Sequence, residues 1–196
     1  NYNRLRGKAF FKSATYLPNI CAVIAMGIIF SMLFEKNTGL INEVIFAMGA
    51  NKVDWLTGTR FSKIPVIALN VWRNTPWFTM ILLSGLLNIS PEYYEAAKVD
   101  GANAFQRFFK ITLPSLSNVM FFCFITLTAD SWKIFNEPFM LQGPGTSNVS
   151  LFQYMYESGF NVFKLGYASS IGCMLTLILL IVSVIQFIIR MKQGEV

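Results

Sequence analysis

Residues 168–189 contain no charged side chain, and residues 14–34 form a second uncharged run of the same kind. At about 1.5 Å per helical residue each run reaches about 30 Å, the thickness of a hydrocarbon core. Composition decides whether lipid or a soluble core receives them. The chain has 196 residues, 54% of them apolar and only 13% charged, against about 45–50% and about 25% in ordinary soluble domains. With 19 Phe and 9 Met, one soluble core of this size would leave large apolar patches exposed, so lipid is the solvent for much of the surface. The same figures exclude a disordered chain.

Two further apolar runs are interrupted. Residues 64–89 are long enough to span but contain Arg73, Asn74, Thr75 and Pro76, and residues 117–141 are broken by Asp130 and Lys133. Four spans (14–34, 64–89, 117–141 and 168–189) place both chain ends and the loop 90–114 on one side. That side carries nine basic residues and the opposite side six, counting Lys133 from the third run, which puts the loop 90–114 in the cytoplasm by the positive-inside rule. The outer loops 35–63 and 142–167 are rich in Gly, Asn and aromatic residues, as suits contact with something outside the membrane.

Several chemistries are excluded. The chain has no His, which removes the commonest general base and metal ligand. Cys21, Cys123 and Cys173 are widely spaced in apolar stretches, as buried hydrophobes are and as a disulfide or metal framework is not. The net charge of +6 is dispersed between apolar blocks, which fits membrane topology and not nucleic-acid binding. The basic first dozen residues are not followed by a signal-peptide cleavage site. Because the chain starts at Asn1, it reads as a piece of a longer one.

The loop 90–114 carries the most specific pattern. Ser90, Pro91 and Glu92 are an N-cap, a first-position proline and a first-turn acid, which together predict a helix start. Tyr93, Tyr94, Ala96 and Ala97 give an aromatic and small-residue surface, and Gly101 allows either a turn or a close approach of backbone. A second helical piece runs to Pro114. The expectation is two short helices joined by a bend at the membrane face.

The order Glu95-Ala96-Ala97, three residues, Gly101, nine residues, Ile111, one residue, Leu113-Pro114 resembles the signature loop of the membrane subunits of binding-protein-dependent ABC importers. Tyr94 to Ala102, followed by Gln106 and Phe109, is similar to the sugar-importer branch of the maltose and glycerol-phosphate type. Weaker similarity takes in Gly143-Pro144 and Gly166-Tyr167-Ala168. The resemblance implies an all-α polytopic helix bundle, the transmembrane domain of a type I ABC importer, as a multi-pass protein of a prokaryotic cytoplasmic (inner) membrane. Such subunits usually have six or more spans, so this chain resembles the last four. In that family the loop is a coupling helix lying in a cleft of the ATPase, with Glu95, Ala96, Ala97, Gly101, Ile111, Leu113 and Pro114 as coupling residues. A rigid helix, small residues for close docking and a carboxylate able to pair with an Arg of the partner suit that work.

The implied partners are a second permease subunit, two ABC ATPase subunits, an extracytoplasmic sugar-binding protein and the lipid bilayer, with no nucleic acid. ATP and Mg are used by the ATPase. This chain is expected to bind no cofactor or metal and to be no catalyst by itself, since it has no GxxxxGK[ST] phosphate loop.

Polar residues inside the spans mark a candidate substrate pathway. Asn70, Asn74 and Trp77 recur at i, i+4 and i+7 on one helical face, amides for sugar hydroxyls and an indole for the apolar ring face. On the third run Asp130, Ser131 and Ile134 share a face with Leu127. The resemblance implies that both stripes correspond to cavity-lining faces of the maltose type. Here the chain differs, with Asp130 and Lys133 where that family often has Phe, Asn or Gln. The same residues also have packing roles open to them: Arg73 can snorkel or pair with Asp130, Lys133 can neutralise Asp130 locally, and the amides can tie neighbouring helices together. Two rival functions remain, a proton- or sodium-coupled secondary transporter with Asp130 and Arg73 as the relay, and a structural subunit without a pathway.

Overall fold

A computed structural model describes residues 8–192. Among these residues the chain is helical, with no strand. In order come α1 (Lys8–Ile20), α2 (Val23–Leu33), α3 (Leu40–Ala47), α4 (Lys63–Leu87), α5 (Pro91–Val99) and α6 (Ala104–Arg107). A π-helical turn (Phe108–Thr112), α7 (Leu113–Ser115), α8 (Ser117–Trp132), α9 (Asn136–Met140) and α10 (Leu151–Tyr156) follow. A second π-helical turn (Glu157–Asn161) precedes the long α11 (Leu165–Lys192).

By length and apolarity α11 alone is a clean membrane-crossing helix among the described residues, and most of its apolar surface is uncovered. The expected continuous span over 14–34 is corrected. Its two parts, Ser13–Ile20 and Val23–Leu33, meet at 96°. Ala22 leaves helical geometry at φ −59°, ψ 125° and offers no side-chain cap, and Pro18 inside α1 has no N–H to donate. The run 117–141 also breaks, between Trp132 and Asn136, and the stretch Ser117–Met140 is bent 63° from Ala104–Ser115. Counting each bent pair as a broken span raises the number to three. α4 matches the expected 64–89 run in extent, but it does not qualify as an apolar span, because Arg73, Asn70 and Asn74 lie in its middle.

The residues form two compact units. One comprises residues 8–76 together with 130–180. Its core is Val66, Leu69 and Leu141, with Met26, Phe30, Leu56 and Ile134 packed against them. Here α9 lies against α2 so closely that a Cβ on Gly27 would stand 2.7 Å from the Cβ of Met140. The other comprises 77–129 with 181–192, and its buried residues include Thr112, Leu116, Cys123 and Arg190. This second unit holds the whole loop 90–114.

Candidate functional site

In the loop the local chemistry follows from the residues one by one. The Ser90 hydroxyl accepts from the Glu92 N–H at 3.4 Å, Pro91 fills the first helical position, and Lys98 stands in the last turn of α5, where a cation complements the helix dipole. α5 ends because Gly101 adopts φ +76°. Its N–H donates to the Lys98 carbonyl at 3.1 Å and the Ala102 N–H to the Ala97 carbonyl at 2.9 Å, the double bond of a Schellman stop. A Cβ on Gly101 would meet nothing within 4 Å. Of the two roles left open by the sequence, the turn is the one realised. Two residues later Asn103 and Gln106 cap α6 reciprocally, side chain to backbone N–H, at 2.8 and 2.9 Å. The loop is thus two rigid pieces with a fixed bend.

The Tyr94 and Thr112 hydroxyls share a 2.9 Å hydrogen bond, which ties α5 to the π-helical turn. Tyr94 and Ala97 are half-buried on that inner side. Glu95 and Ala96 are exposed, as are Tyr93 at 63%, Val99 at 89% and Phe105 at 71%. Apolar side chains left this bare on a short helix outside the apolar runs leave a face suited to a protein partner. Ile111 and Leu113 are half-buried and Pro114 is exposed, and Leu113 and Pro114 line a groove with residues of α8 and α11. The seven pattern residues therefore divide. Glu95 and Ala96 face outward, Gly101 makes the bend, Ala97, Ile111 and Leu113 seat the loop, and Pro114 stands exposed at the groove.

The polar residues of the spans are placed as follows. On α4 the Asn74 side-chain amide donates to the Asn70 carbonyl at 3.0 Å, a back-bond along its own helix, and Trp77 is about half exposed. Arg73 does not pair with Asp130. Its Nη1 donates to the Glu137 carboxylate at 3.1 Å, with Glu137 only 3% exposed, and its Nε is buried without a hydrogen-bond partner. Asp130 is exposed and pairs with Lys133 at 3.4 Å, three residues on. The relay that a secondary transporter would build from Arg73 and Asp130 is absent. Ser131 lines a cavity of about 350 Å³ with Lys63, Val66, Trp132, Ile134 and Asn148, a lining that includes none of Asn70, Asn74, Trp77 or Asp130.

Three polar groups escaped the sequence reading. Glu137 lies inside the 117–141 run and was the carboxylate Arg73 needed. Asn42 is fully buried, its amide nitrogen within hydrogen-bond reach of the carbonyls of Glu35, Lys36 and Val53 and its oxygen accepting from the Val53 N–H and the Trp55 indole. Gln153, also fully buried, donates to Glu157 at 2.8 Å. An Asn in an apolar helix gives no sequence signal for such a hub. The Asn103-x-x-Gln106 pair was a readable cap signature.

In the same loop 35–63 the Glu35 carboxyl is held below its usual range by the Thr38 N–H and hydroxyl. Asp54 is lowered by the Thr57 hydroxyl and then by Lys36. Among the described residues no cluster of Cys, Asp or Glu could hold a metal ion, and the three cysteines are unbridged.

The profile of the family described as "Binding-protein-dependent transport system inner membrane component" matches residues 1–193. The arabinooligosaccharides transport system permease protein AraP of Bacillus subtilis is 31% identical, over 95% of this chain and 61% of its own length. The trehalose/maltose transport system permease protein MalF of Thermococcus litoralis is 32% identical, over 98% of this chain and 64% of its own length. The chain thus spans about six-tenths of the length of these relatives. Among solved structures, a bacterial ABC transporter importing the acidic polysaccharide alginate superposes with a TM-score of 0.84 at 20% identity, covering 97% of this chain and 69% of the matched one.

Proposed function

The chain belongs to the family of binding-protein-dependent transport system inner membrane components, and from that premise we propose that it forms the membrane-spanning permease part of an ATP-driven importer for a sugar or related polyol. A separate pair of ATPase subunits drives it, a second permease completes the pore, and an external binding protein delivers the substrate across a prokaryotic inner membrane. The substrate class is supported by relatives whose names refer to arabinooligosaccharides and to trehalose and maltose.

The observation that carries the reading is the outward face of α5. It joins the exposed Glu95 carboxylate to bare Tyr93, Ala96 and Val99, on a helix whose two ends are fixed by Ser90 and Gly101. A rigid piece of this kind can transmit a rigid-body displacement instead of absorbing it. Closure of the ATPase pair moves α5, and the bundle passes from inward-open to outward-open. The chain supplies the lever and the ATPase supplies the free energy.

The test is Glu95→Lys in the assembled complex. Reversing one partner of a charge-assisted contact costs about 1.5–3 kcal/mol, hence about tenfold or more in coupling. ATP hydrolysis stimulated by loaded binding protein and uptake should both collapse, while the complex still purifies intact. Stimulation equal to wild type would refute the assignment of α5.

A further inference from the structure

Arg190 lies in the last turn of α11, at a helix end where an arginine normally reaches into water. Here it is only 8% exposed. Its Nη2 donates to the Ser117 hydroxyl at 3.0 Å and to the Asn118 side-chain carbonyl at 2.8 Å, and the guanidinium stands 5.2 Å from the centre of the Phe121 ring. Ser117 opens α8, immediately beyond the loop's closing Leu113-Pro114. One turn back along α11, the Gln186 amide donates to the Thr128 hydroxyl of α8 at 2.9 Å. Between these ties the two helices leave a groove of about 510 Å³, lined chiefly by Leu113, Pro114, Met120, Phe121, Phe124 and Ile189. Apolar packing is incomplete there, and in lipid it has no hydrophobic drive to close it. Polar ties carry the connection.

We propose that Arg190 is a positioning residue of the coupling device, clamping the end of α11 to the start of α8 so that displacement of the loop 90–114 moves both helices together. The inference rests on the reading of α5 given above. A positive-inside anchor needs only a cation near the cytoplasmic surface. It does not need a buried guanidinium whose Nη2 is shared between two side-chain acceptors while the group stands against an aromatic face, an arrangement that uses the planar guanidinium and not merely its charge.

The experiment uses the whole importer, with ATPase subunits and binding protein, in proteoliposomes. It reads substrate taken up per ATP hydrolysed. Arg190→Gln removes the charge, Arg190→Lys keeps the charge but loses the planar guanidinium, and Ser117→Ala combined with Asn118→Leu removes these two acceptors without touching Arg190. Expected is a fall of about tenfold in uptake per ATP, within the range of coupling between distant sites, for Arg190→Gln and for the acceptor pair alike. Combining them should be no worse than either alone, and Arg190→Lys should lie between. Should Arg190→Gln fail to assemble, the acceptor pair carries the same test.

Wild-type uptake per ATP in the acceptor pair, or full activity in Arg190→Lys with a neutral acceptor pair, would reduce Arg190 to a topological anchor and overturn the clamp. A fall in thermal stability alone, with uptake per ATP unchanged, would do so too. Glu95→Lys is run in parallel. If it uncouples and the clamp variants do not, only the clamp fails, whereas a neutral Glu95→Lys removes the assignment of α5 itself.

Discussion

Glu137 shows at the scale of one residue why charge is tolerated inside this chain. It is 3% exposed and its partner Arg73 26%, so each ion is stabilised chiefly by the other. Breaking such a pair leaves an uncompensated buried charge, while replacing both partners by apolar side chains is often neutral or stabilising. Glu137→Gln is therefore expected to destabilise the protein by about 3 kcal/mol, and Arg73→Met with Glu137→Leu to recover most of that loss. Thermal unfolding of the purified complex in lipid nanodiscs reads both; a double variant no more stable than the single one would contradict the account. The pair was only half legible in the sequence. Arg73 announced that it needed a carboxylate, and Asp130 was the nearest candidate inside a neighbouring run. Asp130 instead takes the local cation Lys133, and the break in helix between Trp132 and Asn136 brings Glu137 to Arg73. Nothing in residue spacing predicts which side of a broken helix faces a partner.

Elements bounded by side-chain caps were legible, and elements bounded by tertiary contacts were not. Ser90, Pro91 and Gly101 fixed both ends of α5 from sequence alone, because caps and left-handed stops are local. Gly101→Ala should cost about 1–2 kcal/mol of loop stability, the penalty of a Cβ in the left-handed region, and Gly101→Asn clearly less; since the surrounding space is open, no steric clash adds to it. Protease susceptibility of the loop 90–114 measures the difference. The 96° bend near Cys21 and Ala22 had Pro18 as a local marker, but no capping side chain to place it. The loop 35–63 was read as a Gly-, Asn- and aromatic-rich contact surface, yet it is organised around buried Asn42. Its two lowered carboxylates give it an acid limit. A folded-state pKa below the unfolded one adds stability that is present at neutral pH and lost as pH falls through the folded value. Amide exchange at Thr38 and Thr57, after correction for the intrinsic pH dependence, should therefore accelerate below the ordinary carboxylate range, and Asp54→Asn should show the Thr57 change already at pH 7.

At the scale of the whole chain, charges and helices bear on which side of the membrane each loop takes. Only 11% of the apolar window of α11 is buried, so this helix needs lipid or neighbouring chains along its length. The loop 90–114, with Lys98, Arg107 and Lys110, shares its side with Arg190 through the Ser117 and Asn118 bonds. The loop 35–63 belongs to the opposite side if α4 crosses the bilayer. At 25 residues and about 1.5 Å per residue, α4 is long enough to do so, although its polar middle keeps it from qualifying on apolarity. Its crossing then depends on Arg73 being neutralised by Glu137 and on Asn74 bonding to its own helix. Single cysteines test this directly. With Cys21, Cys123 and Cys173 replaced by Ala, Ala50→Cys should react with a membrane-impermeant maleimide added outside intact cells, and Lys98→Cys only after the membrane is opened. Adding Glu137→Gln to the Ala50→Cys protein should lower the labelled fraction, since an uncompensated Arg73 costs about 2.5–3.5 kcal/mol at mid-membrane. Equal labelling of both positions from outside would mean that α4 does not cross, and the loop 90–114 would lie beyond the reach of any cytoplasmic ATPase.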